Sequence, residues 1–373
     1  MKNISDDYII GISYGFHDSA VALIQNGKVL NAVEEERFTG VKHDFSFPIN
    51  SINWILKENN ISNKDISTVC YYENPKLKHD RDWKSYWKYF WKNPLKFPKR
   101  LNHLDELEQI FPLSKIIYNN HHLSHLSYSY FTSDFKESAI LSVDGVGEWD
   151  TTVLASGKDN IIKRHSEVVY PHSLGLLYST ITAFLGFKPN EGEYKVMGLA
   201  PYGTHLFHHK MFDKLIKETK DGFELNMKYF SYHYSDKIMF NKKLSKLFGI
   251  PNRLPEEPIN DIHKNISAAL QYTYEKHFFR LLNKLYEKTK SKNLCLSGGC
   301  AYNGTANGKI QNRTQFKNIW IPPAPSDAGS AIGAALNYWN HITNDRKQNK
   351  TPFLGPSEKL LDIVKIVKDN EDK

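Results

Sequence analysis

The sequence predicts a two-lobed α/β protein. Three features carry this: a strand, turn and hairpin pattern that occurs twice, a long helix with an apolar stripe in the second half, and a length of 373 residues, enough for two cores. Tyr8-Ile9-Ile10-Gly11-Ile12-Ser13-Tyr14 reads as a buried strand, and Ala20-Val21-Ala22-Leu23-Ile24 as a second. Asn26-Gly27 is a strong hairpin signal, which makes Lys28-Val29-Leu30-Asn31-Ala32-Val33 the returning strand. The pattern recurs in Ser138 to Gly145, Thr151 to Ala155, a turn at Gly157-Lys158-Asp159-Asn160, and a third strand from Ile161. Residue identity between the copies is low, so the repeat is one of architecture.

Ile262, Ile266, Ala269, Leu270, Tyr274, Phe278, Leu281, Leu282 and Leu285 keep helical spacing. A strand at Asn293-Leu294-Cys295-Leu296 opens into Ser297-Gly298-Gly299-Cys300-Ala301-Tyr302-Asn303, and Ile319-Trp320-Ile321 is a short strand. A helix from Ala328 to Leu336 follows, with Ser326 or Asp327 as its expected cap and small residues that permit close backbone approach. The expected lobes span 1–120 and 121–356, with an insertion near 205–260 in the second and a polar tail at 357–373.

Hydrophobic residues make up 40% and charged residues 24%, the balance of a soluble globular chain. No apolar run reaches membrane-spanning length, and the acidic, polar N-terminus is not a signal peptide. Three cysteines without a CxxC suit a reducing cytoplasm and argue against a disulfide framework or thiolate cage. The net charge of +8 permits a polyanionic partner without establishing one.

Candidate chemistry centres on His121 and His125. At i, i+4 on a helix their imidazoles share a face, with Cβ atoms about 5–6 Å apart, close enough to ligate one metal ion. Such a pair alone is weak evidence. Asp144 and Asp327 each follow an apolar strand-like run, where a carboxylate can complete a nitrogen/oxygen shell. Gly298 and Gly299 let backbone N–H groups approach a phosphate, or form a plain strand-to-helix turn. In His17-Asp18-Ser19-Ala20, either His17 or Asp18 could act as a general base, while the bland reading has Asp18 satisfying turn amides.

Glu34-Glu35-Glu36-Arg37 and Lys42-His43-Asp44 read as a solvated charge run or as cations, Arg37 and Lys42, presented to an anionic substrate group. In the Gly-punctuated stretch Glu191 to Gly203, Lys195 could hold a phosphate or carbamoyl oxygen. Residues 76–100 carry Trp83, Trp87 and Trp91 beside Lys84, Lys88, Lys92 and Lys96. The favoured reading is an amphipathic helix whose aromatics pack on the first lobe; the alternative is a surface that stacks bases and grips phosphates.

These stretches, in this order, resemble the O-carbamoyltransferase family of nodulation-factor and antibiotic tailoring enzymes. The matching segments are Gly11 to Ala20, Glu34 to Thr39, His121 to His125, Val143 to Gly145, Glu191 to Gly203, Leu296 to Gly299 with Asn303, and Pro325 to Gly329. More distantly the chain is similar to the tRNA threonylcarbamoyl-transferase and the sugar kinase/actin superfamily. The resemblance implies a duplicated ribonuclease-H-like (ASKHA) fold with iron(II) or a similar divalent metal held by His121, His125, Asp144 and Asp327. It implies a carbamoyl adenylate, derived from ATP and carbamoyl phosphate, on the Gly298-Gly299 loop near Gly145 and Asn303, with His17 or Asp18 taking the proton from an acceptor hydroxyl. That acceptor is expected to be a sugar, a small metabolite or, less favoured, a modified nucleobase, and no membrane partner is expected.

Family members continue into a YrdC-like domain that makes the adenylate. This sequence ends at Lys373, so the expectation is that the domain is absent, and that a separate YrdC-like subunit supplies the adenylate, the chain is a piece of a longer one, or the activity is lost or changed. A non-catalytic nucleotide-binding scaffold and a small-molecule kinase are the competing functions; the kinase gives no reason for the paired histidines.

Overall fold

The computed structural model describes residues 7–92, 104–204, 209–235, 237–347, 351–357 and 368; nearly all of the expected polar tail, and residues 93–100 of the aromatic-basic stretch, lie outside them. Five strands form the first sheet: β1 (Tyr8–Ser13), β2 (Ala20–Gln25), β3 (Lys28–Glu34), β4 (Ile66–Tyr71) and β5 (Lys115–Tyr118). Their order is β3-β2-β1-β4-β5. The Asn26-Gly27 turn places Gln25 opposite Lys28, as the hairpin signal requires. β1 then pairs parallel with β4, and β4 with β5.

The second sheet comprises β6 (Glu137–Val143), β7 (Asp150–Lys158), β8 (Ile161–Val169), β11 (Asn293–Ser297) and β12 (Asn318–Trp320), in the order β12-β11-β6-β7-β8. Two antiparallel pairings followed by two parallel ones repeat the first sheet strand for strand. This is the duplicated ribonuclease-H-like topology. The insertion contributes a two-stranded ribbon, β9 (Ile216–Glu218) with β10 (Phe223–Leu225). Phe212, Phe223, Phe230 and Phe248 sink into the core of the second lobe.

The helices that frame the site and the two cores are α1 (Ile49–Glu58), α2 (Pro75–Tyr89), α3 (His121–Phe131), α4 (Leu174–Phe184), α5 (Glu193–Leu199), α6 (Asp261–Thr289) and α7 (Asp327–Thr343). α3 follows the fifth strand of the first sheet, and α7 the fifth strand of the second. Each packs on the other copy's sheet, α3 on β6, β7 and β11 and α7 on β1, β2 and β4, so the helix that closes the first copy of the pattern lies beyond the expected break at 120/121. The two helices also pack on each other. Ile332, Leu336 and Trp339 of α7 join the first core; full burial of one such side chain stabilises by roughly 1.5–3 kcal/mol. Small residues make the crossing possible, since a Cβ on Gly333 would lie 1.9 Å from the Ser124 carbonyl oxygen.

Two local expectations are corrected. α7 begins at Asp327, and Ser326 makes no side-chain cap; Asp327 occupies the first turn with its carboxylate directed elsewhere. On α2 the inward positions include Arg81 and Tyr86 rather than the tryptophans. Trp87 and Trp91 are 65% and 90% exposed. The reason is that Arg81 reaches the Gly147 carbonyl, which fixes the face of the helix. The tryptophans stack along the helix instead, with Trp83 and Trp87 ring centroids 6.3 Å apart, so their faces are partly covered by one another. No helix among the described residues is long and apolar enough to cross a membrane.

The helix crossing sets a prediction. Gly333→Val forces α7 off α3 and lowers unfolding free energy by roughly 1–3 kcal/mol, measured by urea denaturation. Gly198→Ala, where a Cβ meets nothing within 4 Å, leaves stability unchanged or slightly raised.

Candidate metal centre and cavity

Local structure explains why four side chains converge. Asn120 caps α3 by accepting from the Leu123 amide at 3.3 Å. The buried Glu148 carboxylate accepts from the amides of His121 at 2.9 Å and Asn74 at 2.7 Å, and from the Asn120 side chain at 3.0 Å, pinning the start of the helix. His121 and His125 then project from one face, their Nε2 atoms 3.0 Å apart. Asp144 leaves the end of β6 with Oδ2 3.1 Å from His121 Nε2 and 3.7 Å from His125 Nε2. Asp327 arrives from the first turn of α7, with Oδ1 3.5 and 3.4 Å from the same two nitrogens.

One ligand atom from each of the four lies within 4.8 Å of all the others, and all four residues are buried. Asp327 is 1% exposed and neither of its oxygens has a hydrogen-bond partner. An ionised carboxylate buried without donors carries a desolvation penalty of several kcal/mol. A divalent cation bonded at about 2.0–2.2 Å to nitrogen and oxygen offsets that penalty, so the donor set fits a metal. The outer contacts are those of ligands held in place. His125 Nδ1 meets Ser330 Oγ at 2.9 Å, and the Gly299 amide donates to Asp144 Oδ1 at 2.8 Å.

The electrostatics agree. Burial by itself would lower the His121 pKa, but the Asp327 and Asp144 carboxylates outweigh it and raise it to about 9. Burial would raise Asp144, and hydrogen bonds from His121 and His125 instead hold it well below the ordinary carboxylate range. His122, between the two, is not part of the cluster. It faces Ser142 Oγ at 2.8 Å and the Asp150 carbonyl at 3.0 Å, and burial next to two other histidines pushes its pKa well below the usual value.

Beside the cluster lies a cavity of about 490 Å³, whose lining includes His17, Asp18, Lys42, Asp144, Gly145, Gly299 and Asn303. Its apolar wall comes from Leu176, Tyr178, Met197 and Tyr274. The structure therefore gathers most of the residues singled out in the sequence. Gly298 has φ +85, and a Cβ there would strike the Val143 carbonyl at 2.3 Å. Its amide donates to Pro325 at 2.8 Å, and that of Gly299 to Asp144, so both amides orient the centre rather than face a phosphate. Asn303 makes two 3.0 Å amide–amide bonds with Gln271 and caps the turn after it.

Lys195 is not brought to this set: it is exposed on α5, near the Tyr194 ring, and does not line the cavity. Of the two cations in the charge run, Lys42 lines the cavity, while Arg37 pairs with Glu36 and lines a separate groove. Sequence reasoning missed Glu148, Ser330 and Gln271. Gln271 had a signal, as a polar residue among the apolar positions of α6; the other two had none.

Two copies of one strand order define the duplicated ribonuclease-H-like fold, and a buried nitrogen/oxygen cluster lies where they meet. The chain belongs to the carbamoyltransferase family, matching the Carbamoyltransferase N-terminus over residues 8–336. It is 43% identical to protein sll1178 of Synechocystis, over 94% of this chain and 60% of that one. Similarity to nodulation protein NolNO of Sinorhizobium fredii is 34% identity over 91% of this chain and 49% of the relative. Among solved structures, HypF of T. kodakarensis aligns with a TM-score of 0.50 at 11% identity, over 91% of this chain and 48% of that one, a likeness of fold alone. The chain thus spans roughly half to three fifths of the length of these proteins.

Metal binding must displace the proton that the raised pKa keeps on His121 near neutrality. Affinity for a divalent cation therefore rises with pH up to about 9 and levels off above it. Calorimetry in buffers of different ionisation enthalpy should show proton release on metal binding at pH 7, from His121 and from His17, whose pKa the same Asp327 carboxylate raises to about 9. His122→Ala should lower stability while leaving metal stoichiometry intact, measured by elemental analysis of the folded variant.

Proposed function

We propose that this chain is the transfer portion of an O-carbamoyltransferase, moving a carbamoyl group from carbamoyl adenylate to a hydroxyl of a sugar or other small metabolite. The observation that carries the reading is the meeting of a buried, donor-poor Asp327 cluster with a cavity that has both an apolar wall and a cation at its rim. Tyr178, Tyr274 and Met197 would pack against the adenine, and Lys42 would face the phosphate. His121, His125, Asp144 and Asp327 would hold iron(II) or a similar divalent ion; when bound, it supplies Lewis-acid polarisation and offsets negative charge beside the phosphate.

The chain's own residues position and deprotonate. His17 lies at the junction of cavity and cluster, with Nε2 3.7 Å from Asp327 Oδ2. We assign it the proton of the attacking hydroxyl, which it takes once neutral: burial would lower its pKa, but the Asp327 and Asp18 carboxylates raise it to about 9. The hydroxyl oxygen forms a bond to the carbamoyl carbon, the bond from that carbon to the phosphate oxygen breaks, and AMP leaves with the electron pair. An adenylate-forming YrdC-like partner, working from ATP and carbamoyl phosphate, would supply the donor. Three free cysteines, two of them buried, suit a reducing cytoplasmic setting.

The test is incubation of the full chain, loaded anaerobically with Fe(II), with synthetic carbamoyl adenylate and a panel of sugars, read by mass spectrometry. The reading expects a carbamoylated sugar and AMP, with turnover in His17→Ala reduced by about 10²–10⁴-fold. Nucleotide binding without product supports the scaffold instead, and ATP-dependent sugar phosphorylation the kinase.

A further inference from the structure

We propose that His43, read in the sequence as part of a solvated charge run, is a positioning residue: through Asp18 it holds the His17 imidazole with its Nε2 edge turned toward the metal centre. The proposal rests on the transferase reading for its kinetic arm only. His43 lies 25 residues from Asp18, yet its Nδ1 is 2.6 Å from Asp18 Oδ1. The second oxygen of Asp18 is 2.9 Å from His17 Nδ1. With His17 Nε2 3.7 Å from Asp327, these groups form one line from the cavity rim to the buried cluster. The His43 side chain is 26% exposed, so it sits at the rim rather than in bulk solvent.

Chemistry fixes the direction of each contact. An ionised carboxylate only accepts, so the nitrogen facing Asp18 on each imidazole carries the hydrogen. A neutral His17 then has Nδ1–H bound to Asp18 and an unprotonated Nε2 facing the cluster and cavity. That is the tautomer a proton acceptor needs, and a carboxylate behind an imidazole is the usual way of enforcing it. Asp18 stays ionised: burial would raise its pKa, but hydrogen bonds from His17 and His43 lower it.

The backbone shows that the arrangement is built. Asp18 and His43 both sit at positive φ, 53° and 56°, where non-glycine residues are uncommon. Such conformations persist when their surroundings over-determine them. Here the loop carrying His43 is tied to the β1–β2 turn by Ser19 N to Asp44 O at 2.7 Å and Gly15 N to Phe45 O at 3.0 Å. The His43 amide donates to Glu36 at 2.9 Å. Asp44 is itself fixed by Ser46 and Thr39, at 2.6 and 2.7 Å. A charge pair that merely neutralised Asp18 would require none of this.

The experiment is histidine-selective 15N NMR on the full Zn(II)-loaded chain, together with steady-state transfer from carbamoyl adenylate. In the wild type, His17 should show a single Nδ1-protonated tautomer. His43→Phe should convert it to a tautomer mixture, and kcat should fall about 10–100-fold while KM for the adenylate stays within about twofold. His43→Asn, whose amide nitrogen hangs from Cγ as Nδ1 does in histidine, keeps the donor at the same reach and should restore both. If the Phe variant does not fold, His43→Ala, which has no donor and adds no bulk, takes its place. An unchanged His17 pattern in the donor-deficient variant, or a change in KM with kcat constant, overturns the proposal. Should no variant, wild type included, transfer carbamoyl, the transferase reading fails and the tautomer pattern alone decides the role of His43.

Discussion

The exchange of final helices is the constraint on which the rest depends. Each lobe builds its own five-stranded sheet, yet each sheet is covered in part by the helix that ends the other lobe. Because α3 and α7 cross at near backbone contact, their N-terminal ends come together, and those ends carry His121, His125 and Asp327. Asp144 reaches the same point from the end of β6, the strand that α3 covers. The centre is thus built from both halves of the duplication. A change that slides one helix along the other removes ligands from both halves at once.

The cost of that arrangement is buried charge. Two carboxylates and two imidazoles sit in a volume that excludes water, and removing one partner leaves an uncompensated ion. The Gly299 amide donates to Asp144, His125 Nδ1 meets the Ser330 hydroxyl, and the Asp327 oxygens have no hydrogen bond. Asp327 instead faces the imidazoles of His125, His121 and His17 at 3.4, 3.5 and 3.7 Å, contacts longer than hydrogen bonds and of a spacing that a shared cation fills. Further out, Glu148 ties α3 to the loop before α2, so the centre also senses the placement of the aromatic helix.

Much of this was legible in the sequence because it is local. The Asn26-Gly27 hairpin, the i, i+4 histidines and the strand ahead of Asp144 depend on neighbours within a few residues, and their patterns survive folding. What failed depends on facing. Nothing near Lys195 indicates which side of a short helix meets the cavity, and it points away. Asp327 resembled a cap because caps and first-turn acids share a composition, and only α3 across the interface distinguishes them. The tryptophans of α2 looked like core until Arg81, through a bond 66 residues away in sequence, set the orientation of the helix. His43 was hidden for the same reason, since its partner lies in another turn.

The donor set where the two halves meet fits one metal ion with ligands from both. X-ray absorption at the metal edge of anaerobically Fe(II)-loaded protein tests it most directly. The account predicts one ion per chain, a nitrogen/oxygen shell with two imidazole scattering paths, and the loss of one such path in His125→Gln. An unchanged spectrum in that variant, or a shell without imidazole, would contradict it.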